Sequence, residues 1–214
     1  MSPAHGERAT QEQRRTEAER RLLEAAAELI GEVGPAKITL AGIGERAGYS
    51  RGLATHHFGS KSAVLQRLVD SVTEQFSDAV LPPTDSTPGP EQVLGLVDFY
   101  FQILADLRPM NRARLVLWAD AIARDSEDIR PAMAAADRLF LDEITRTLTR
   151  AVTAGTIPQD VRPTGLATVI VAMLRGVALE YLMHDTVDLA GCRSEIEQLL
   201  RGRLGVAVPV RVEI

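Results

Sequence analysis

Gly48-Tyr49-Ser50-Arg51-Gly52-Leu53-Ala54-Thr55-His56-His57-Phe58-Gly59-Ser60-Lys61 is the stretch on which the reading of this chain turns. It spells a tight turn, a very short helix, an aromatic anchor and a second helix start. Gly48 supplies the positive φ of the turn. Ser50 offers a hydroxyl to cap a short helix expected over about 51–57, and Ser60 a hydroxyl to cap the helix that begins near Lys61. A helix of two turns buries too little to stand alone, so its neighbours must hold it out. That is how a recognition helix is presented to a DNA major groove.

Working outward, Thr39 is placed to cap a helix whose Leu40, Ile43 and Ala47 point inward, and Gly34-Pro35 stops a longer helix before it. In that first helix Leu22, Ala26, Leu29, Ile30 and Val33 form one apolar stripe at helical spacing. Either Thr10 with Gln13 or Thr16 with Glu19 can supply the capping box that opens it. Downstream, Val64, Leu65, Leu68, Val72 and Phe76 give a fourth helix a buried side, and it runs on past the motif.

The segment 81–90 carries four prolines and a glycine and cannot continue a helix. Amphipathic stretches follow at roughly 91–107, 110–125, 128–154 and 163–184, with a shorter one at 193–203; 155–158 and 187–191 connect them. The tail 206–212 alternates like a strand, but Pro209 demotes it to an edge strand or a loose end. The reading is all-α. A flexible tail covers 1–9, a three-helix helix-turn-helix head 10–60, a connecting helix 61–80, a Pro-rich linker 81–90, a larger helical domain 91–204 and a C-terminal tail 205–214.

The central stretch resembles the DNA-binding signature of the TetR family of transcriptional regulators, Gly-Val-Ser-x-Gly-x-Leu-Tyr-x-His-Phe-x-Ser/Thr-Lys. Gly48, Ser50, Gly52, His57, Phe58, Ser60 and Lys61 match it in order and spacing. Ile38-Thr39-Leu40 through Ile43, with Glu45-Arg46-Ala47, resembles the first helix of that motif. The sharp resemblance covers roughly residues 15–65. Thr55 stands where the family has a phosphate-contacting Tyr, His56 at an often aromatic position, and Ala41 where a basic residue is common. Gly42 and Gly44 weaken the helix that carries them.

If the short helix enters the groove, its first turn faces base edges and its flanks face phosphates. Arg51 is then a bidentate guanine reader or a phosphate ligand. Gly52 lets the backbone approach closely, and Leu53 touches a thymine methyl or joins the core. Thr55, His56 and His57 offer short polar groups to the backbone, while Phe58 is structural. Lys61 and the amides near Ser60, like Thr39, sit at a helix N-terminus that attracts phosphate. The expected DNA set is Thr39, Ser50, Arg51, Gly52, Leu53, Thr55, His56, His57 and Lys61.

The net charge of −5 by itself argues against a nucleic-acid partner, but its distribution does not. Residues 1–67 hold 10 Lys/Arg against 8 Asp/Glu, and the remainder 14 against 21. A mildly basic head on an acidic body suits a protein that meets phosphate at one end. Both lysines, Lys37 and Lys61, lie in the head. The one cysteine, Cys192, excludes an internal disulfide and a cysteine-built zinc site. No stretch is expected to reach the roughly 18 apolar residues of a membrane span, so a cytoplasmic protein is expected.

The C-terminal half shows no phosphate loop, nucleophile elbow or metal-ligand pair. The adjacent His56 and His57 diverge on a helix and cannot share an ion. A non-enzyme without metal or cofactor is therefore expected. Arg112, Arg114 and Asp120 read as a solvated helix face. Aromatics are only 4% of the chain, yet Phe99, Tyr100, Phe101, Trp118, Phe140 and Tyr181 gather in this half. They line a small-molecule cavity or build the core; Phe99, Trp118, Arg175, Tyr181 and His184 are the candidate effector contacts. The run 163–184 is apolar nearly all round and needs cover on more than one side. With the 193–203 helix it would supply a two-fold interface, an arrangement the family resemblance also implies.

These expectations combine as a homodimeric, ligand-responsive repressor on a palindromic duplex-DNA operator, released by a small molecule in its C-terminal domain. An activator of the same fold, or a helical adaptor or enzyme that does not bind DNA, are the alternatives.

Overall fold

The computed structural model describes residues 10–80, 89–106, 109–123, 129–184 and 186–206. Among them are nine helices: α1 Gln11–Val33, α2 Leu40–Arg46, α3 Leu53–Phe58, α4 Lys61–Val80, α5 Pro90–Ala105, α6 Pro109–Ala123, α7 Arg130–Thr153, α8 Pro163–Met183 and α9 Leu189–Leu204. No strand occurs among the described residues, and the fold is all-α. The expected tail 1–9 and most of 81–90 and 206–212 lie outside them, as do the side chains of Val72 and Phe76.

Of the two capping boxes the sequence allowed, Thr10 with Gln13 opens α1. The Gln13 amide donates to the Thr10 hydroxyl at 3.2 Å, and the Thr10 amide to the Gln13 side chain at 2.7 Å. Gly34, at φ 79°, ends the helix by donating to the Ile30 carbonyl. Leu22, Ala26 and Ile30 are fully buried and Leu29 half-buried, but Val33 is 43% exposed. Leu23, Ala25 and Ala27 are buried as well, because α2, α4 and α6 surround α1 on several sides.

Two hydrophobic cores result. The head core joins α1–α4 through Leu22, Ile30, Ile43, Ala54, Val64 and Leu68. It extends to Ala113, Leu117 and Ala121 of α6 and to Ala132 and Met133 of α7. The body core is built from α5, α7, α8 and α9, with Leu115 of α6. Alternate faces of α6 are thus buried in different cores. A helix read as solvated on one side is a strut between head and body. Arg114 is accordingly half-buried, its guanidinium 5.8 Å from the Tyr100 ring centre, and the Arg112 stem packs over Gly31.

Two expectations about the body need correction. The last helix begins at Leu189, not 193. The Asp188 carboxylate accepts from the Gly191 amide at 2.9 Å, so the glycine expected in the 187–191 connection sits in the capped first turn. A Cβ on Gly191 would lie 2.3 Å from that carboxylate, which is why the position favours glycine. By length and composition α8 is also long and apolar enough to cross a membrane, with a mean hydropathy of 1.7 over its most apolar window. Only the charges of Arg175 and Glu180 interrupt it. Only 28% of that window is buried within the chain, so much of its apolar surface faces outward.

Candidate nucleic-acid interface

Around the central stretch, local geometry follows the side chains closely. The Thr39 hydroxyl accepts from the Gly42 amide at 3.0 Å and caps α2, and the Ser60 hydroxyl accepts from the Ala63 amide at 3.0 Å and caps α4. Ser50 does not cap α3. The helix starts two residues later than expected, at Leu53, with Gly52 as a cap that has no side chain to offer. The Ser50 carbonyl instead accepts from the Leu53 amide at 3.1 Å, so residues 50–53 close as a turn before the helix begins.

Gly44 explains how the two helices come so close. A Cβ there would lie 2.6 Å from the Ser50 carbonyl oxygen, and the Tyr49 amide donates to the Gly44 carbonyl at 2.9 Å. The residue that weakens α2 by propensity is the one that lets the turn pack against it. Gly48 at φ 78° and Gly59 at φ 75° complete the two reversals. Ala54 is fully buried, and Leu53 and Phe58 pack against the head core.

Thr39, Ser50, Arg51, Gly52, Thr55 and His56 are exposed around α3, whereas Leu53, His57 and Lys61 are half-buried. Leu53 therefore spends much of its side chain inward. The His56 and His57 rings stand edge to face with centres 6.2 Å apart, and no metal-binding group of His, Cys, Asp or Glu occurs among the described residues. The Lys61 ammonium donates to the Ala36 carbonyl at 2.8 Å, tying the start of α4 to the turn after α1. Two of its three N–H donors stay available at the helix N-terminus.

Part of the head's positive charge is held in ion pairs. Arg20 pairs with Glu17 and Glu24, Arg21 with Glu17, Arg46 with Glu28 and Glu32, and Arg67 with Glu19 and Glu74. Hydrogen bonds from Arg20 and then Arg21 hold the Glu17 carboxyl down to about 2. Arg46 likewise holds Glu32 below the ordinary carboxylate range. Arg51 is paired too, through its Nε to the Glu45 carboxylate, although its side chain is 76% exposed. An exposed pair of this kind is worth little, and DNA can displace it. Glu45 entered the sequence reading only as part of a motif; its hold on Arg51 depends on the turn geometry.

The candidate effector residues separate. Trp118 and Arg175 come together, the guanidinium 5.0 Å from the indole ring centre. Asp137 of α7 joins them, accepting from Trp118 Nε1 at 3.0 Å and from Arg175 at 2.5 Å. Burial pulls the Arg175 guanidinium below its ordinary value, and the Asp137 carboxylate opposes that pull. Nothing in the sequence singled out Asp137, because its partners lie on two other helices. Tyr181 packs against the body core, Phe99 is half-buried on α5, and His184 is exposed at the end of α8.

Residues 90–205 match the family model for the BetI-type transcriptional repressor C-terminal domain, and residues 22–68 that for bacterial regulatory proteins of the tetR family. The chain belongs to the TetR family of transcriptional regulators. The HTH-type transcriptional regulator BetI of Escherichia coli is 32% identical over 106 residues, which are 48% of this chain and 54% of the relative. The chain thus spans about half the length of the curated relatives it matches. Among solved structures, SmeT in complex with triclosan superposes with a TM-score of 0.80 at 24% identity, covering 92% of this chain and 98% of SmeT. FadR, a fatty acid degradation regulator of Bacillus halodurans, gives 0.76 at 22%, covering 89% and 97%. These likenesses carry the fold: a helix-turn-helix head on a helical C-terminal domain.

Proposed function

We propose that this TetR-family regulator is a homodimeric repressor that reads a palindromic operator with α3 and is released by a small molecule bound in its body. The observation that carries the DNA part is the presentation of α3. Two capped helix N-termini, at Thr39 and Ser60, flank an exposed surface of Arg51, Gly52, Thr55 and His56. The free amides of the first turns of α2 and α4 take phosphates, and Arg51 meets bases once it leaves Glu45. Ser50 and His57 stand at the margin of that surface.

The dimer reading rests on the apolar face of α8 and α9. Val169 and Met183 are 51% and 74% exposed, Ala172 and Gly176 are exposed between them, and Leu199 of α9 is 63% exposed. Their spacing draws one stripe along α8. Pairing it with a second copy removes that surface from water and sets two α3 helices about 34–36 Å apart, one turn of duplex.

For the effector, support comes from the Trp118–Asp137–Arg175 cluster, a polar group inside an apolar body that bridges α6, α7 and α8. SmeT, which shares this fold, is solved in complex with triclosan, and that supports the reading. A ligand that rearranges the cluster shifts α6, and α6 is shared with the head core. The test is a fluorescence-anisotropy titration on duplex DNA from the upstream region of the protein's own gene at several salt concentrations. The log of the affinity is expected to fall linearly with log salt. Affinity that is flat across salt, or absent, overturns the reading.

A further inference from the structure

A groove of about 470 Å³ opens where head meets body. One wall is the turn after α1, with Val33, Pro35 and Lys37. The facing walls include Ala119 of α6 and Leu179 and Leu182 of α8. The volume falls in the range of about 300–1,000 Å³ typical of small-molecule sites. The groove is distinct from the Trp118–Asp137–Arg175 cluster, none of whose residues lines it.

We propose that this groove binds a monoanionic amphiphile, an apolar body bearing a single carboxylate or sulfonate. The walls are aliphatic, and Val33 leaves 43% of its surface to water, so an apolar body gains by covering them. Charge decides the rest. Lys37 is the cation that lines the groove, and, unlike the glutamate-bound Arg20, Arg21, Arg46, Arg51 and Arg67 of the head, it is in no ion pair among the described residues. A lysine among aliphatic lining residues can cover them with its stem and offer its ammonium to an anionic head group. Lys37 is the one cation among the residues that line the groove, and one ammonium balances one negative charge.

Occupancy has a mechanical consequence that rests on the regulator reading, whereas the binding itself does not. The ligand spans from the turn after α1 to α6 and α8, and Ala36 in that turn accepts the Lys61 ammonium. Filling the groove therefore fixes the head against the body and neutralises a cation two residues from Thr39. Operator affinity falls.

The test uses the full chain and two fluorescent probes of matched shape: 1-anilinonaphthalene-8-sulfonate, and N-phenyl-1-naphthylamine, which lacks the sulfonate. The wild type is expected to bind both at below about 1 mM. Lys37→Glu, in an exposed turn, is expected to weaken the sulfonate about tenfold and the neutral probe by less than about twofold. Ala119→Trp fills the groove from an exposed position and is expected to remove both. Unchanged binding in both variants overturns the proposal, as does equal weakening of both probes by Lys37→Glu. Loss of the sulfonate probe in Arg175→Met alone would place it in the interior cluster. Conversion to a monomer by Ala119→Trp would make a second copy the occupant. Either result also overturns it.

Discussion

Replacing Asp137 by Ala removes one carboxylate and strands two donors on different helices. Asp137 accepts from Trp118 Nε1 at 3.0 Å and from Arg175 at 2.5 Å, and the Arg175 and Asp137 side chains are only 19% and 25% exposed. Breaking a fully buried pair costs about 3–5 kcal/mol, mostly because the remaining charge loses its partner. Residual solvent at both side chains reduces that, and about 2–3 kcal/mol is expected. At about 2–4 °C per kcal/mol for a chain of this size, the midpoint of thermal unfolding drops by about 4–12 °C. Adding Arg175→Met to Asp137→Ala should recover at least half of the loss, since no uncompensated guanidinium remains. Trp118 is the only tryptophan, so urea titrations followed by its emission report from the cluster itself. Protomer concentration must be held fixed, because a dimer's stability depends on it. A loss under about 0.5 kcal/mol for Asp137→Ala, or strict additivity with Arg175→Met, would refute the reasoning.

Further perturbations test the other parts. Gly44→Ala places a Cβ 2.6 Å from the Ser50 carbonyl oxygen; it is expected to cost about 1–3 kcal/mol in denaturant melts and at least tenfold in DNA affinity. Gly52→Ala meets nothing within 4 Å; it should leave stability within about 0.5 kcal/mol while weakening DNA binding, and unchanged anisotropy titrations would remove Gly52 from the interface. Lys61→Ala should lower the salt slope of DNA binding by about one unit, and an unchanged slope would confine Lys61 to its Ala36 bond. Val169→Glu with Leu199→Glu should give monomers in sedimentation at micromolar concentration with helicity retained; a persistent dimer would exclude the α8–α9 face.

The head was legible because its signals are local. Caps at Thr10, Thr39 and Ser60 and the reversal at Gly48 each act within four residues, and all form. The error at Ser50 is instructive in the same terms: a hydroxyl beside a short helix looked sufficient, but the turn closed through its backbone carbonyl. In the body the signals were weaker. Gly191 lies in a stretch expected as a connection, but the Asp188 cap draws it into the first turn of α9. Arg114 read as solvated until both faces of α6 proved covered.

The sequence by itself determined an all-α chain and its helix starts and stops, because helix periodicity and capping are nearest-neighbour physics; the helix-turn-helix head and the candidate DNA contacts came from the motif and its family resemblance. It also flagged Trp118 and Arg175. Only the tertiary structure decided that Asp137 joins them, that Glu45 holds Arg51, that Gly44 is a contact point and that α6 serves two cores. Each of those depends on side chains brought together from elements whose relative placement no local pattern encodes. The packing of whole apolar faces sets that placement, and with it which polar groups find one another.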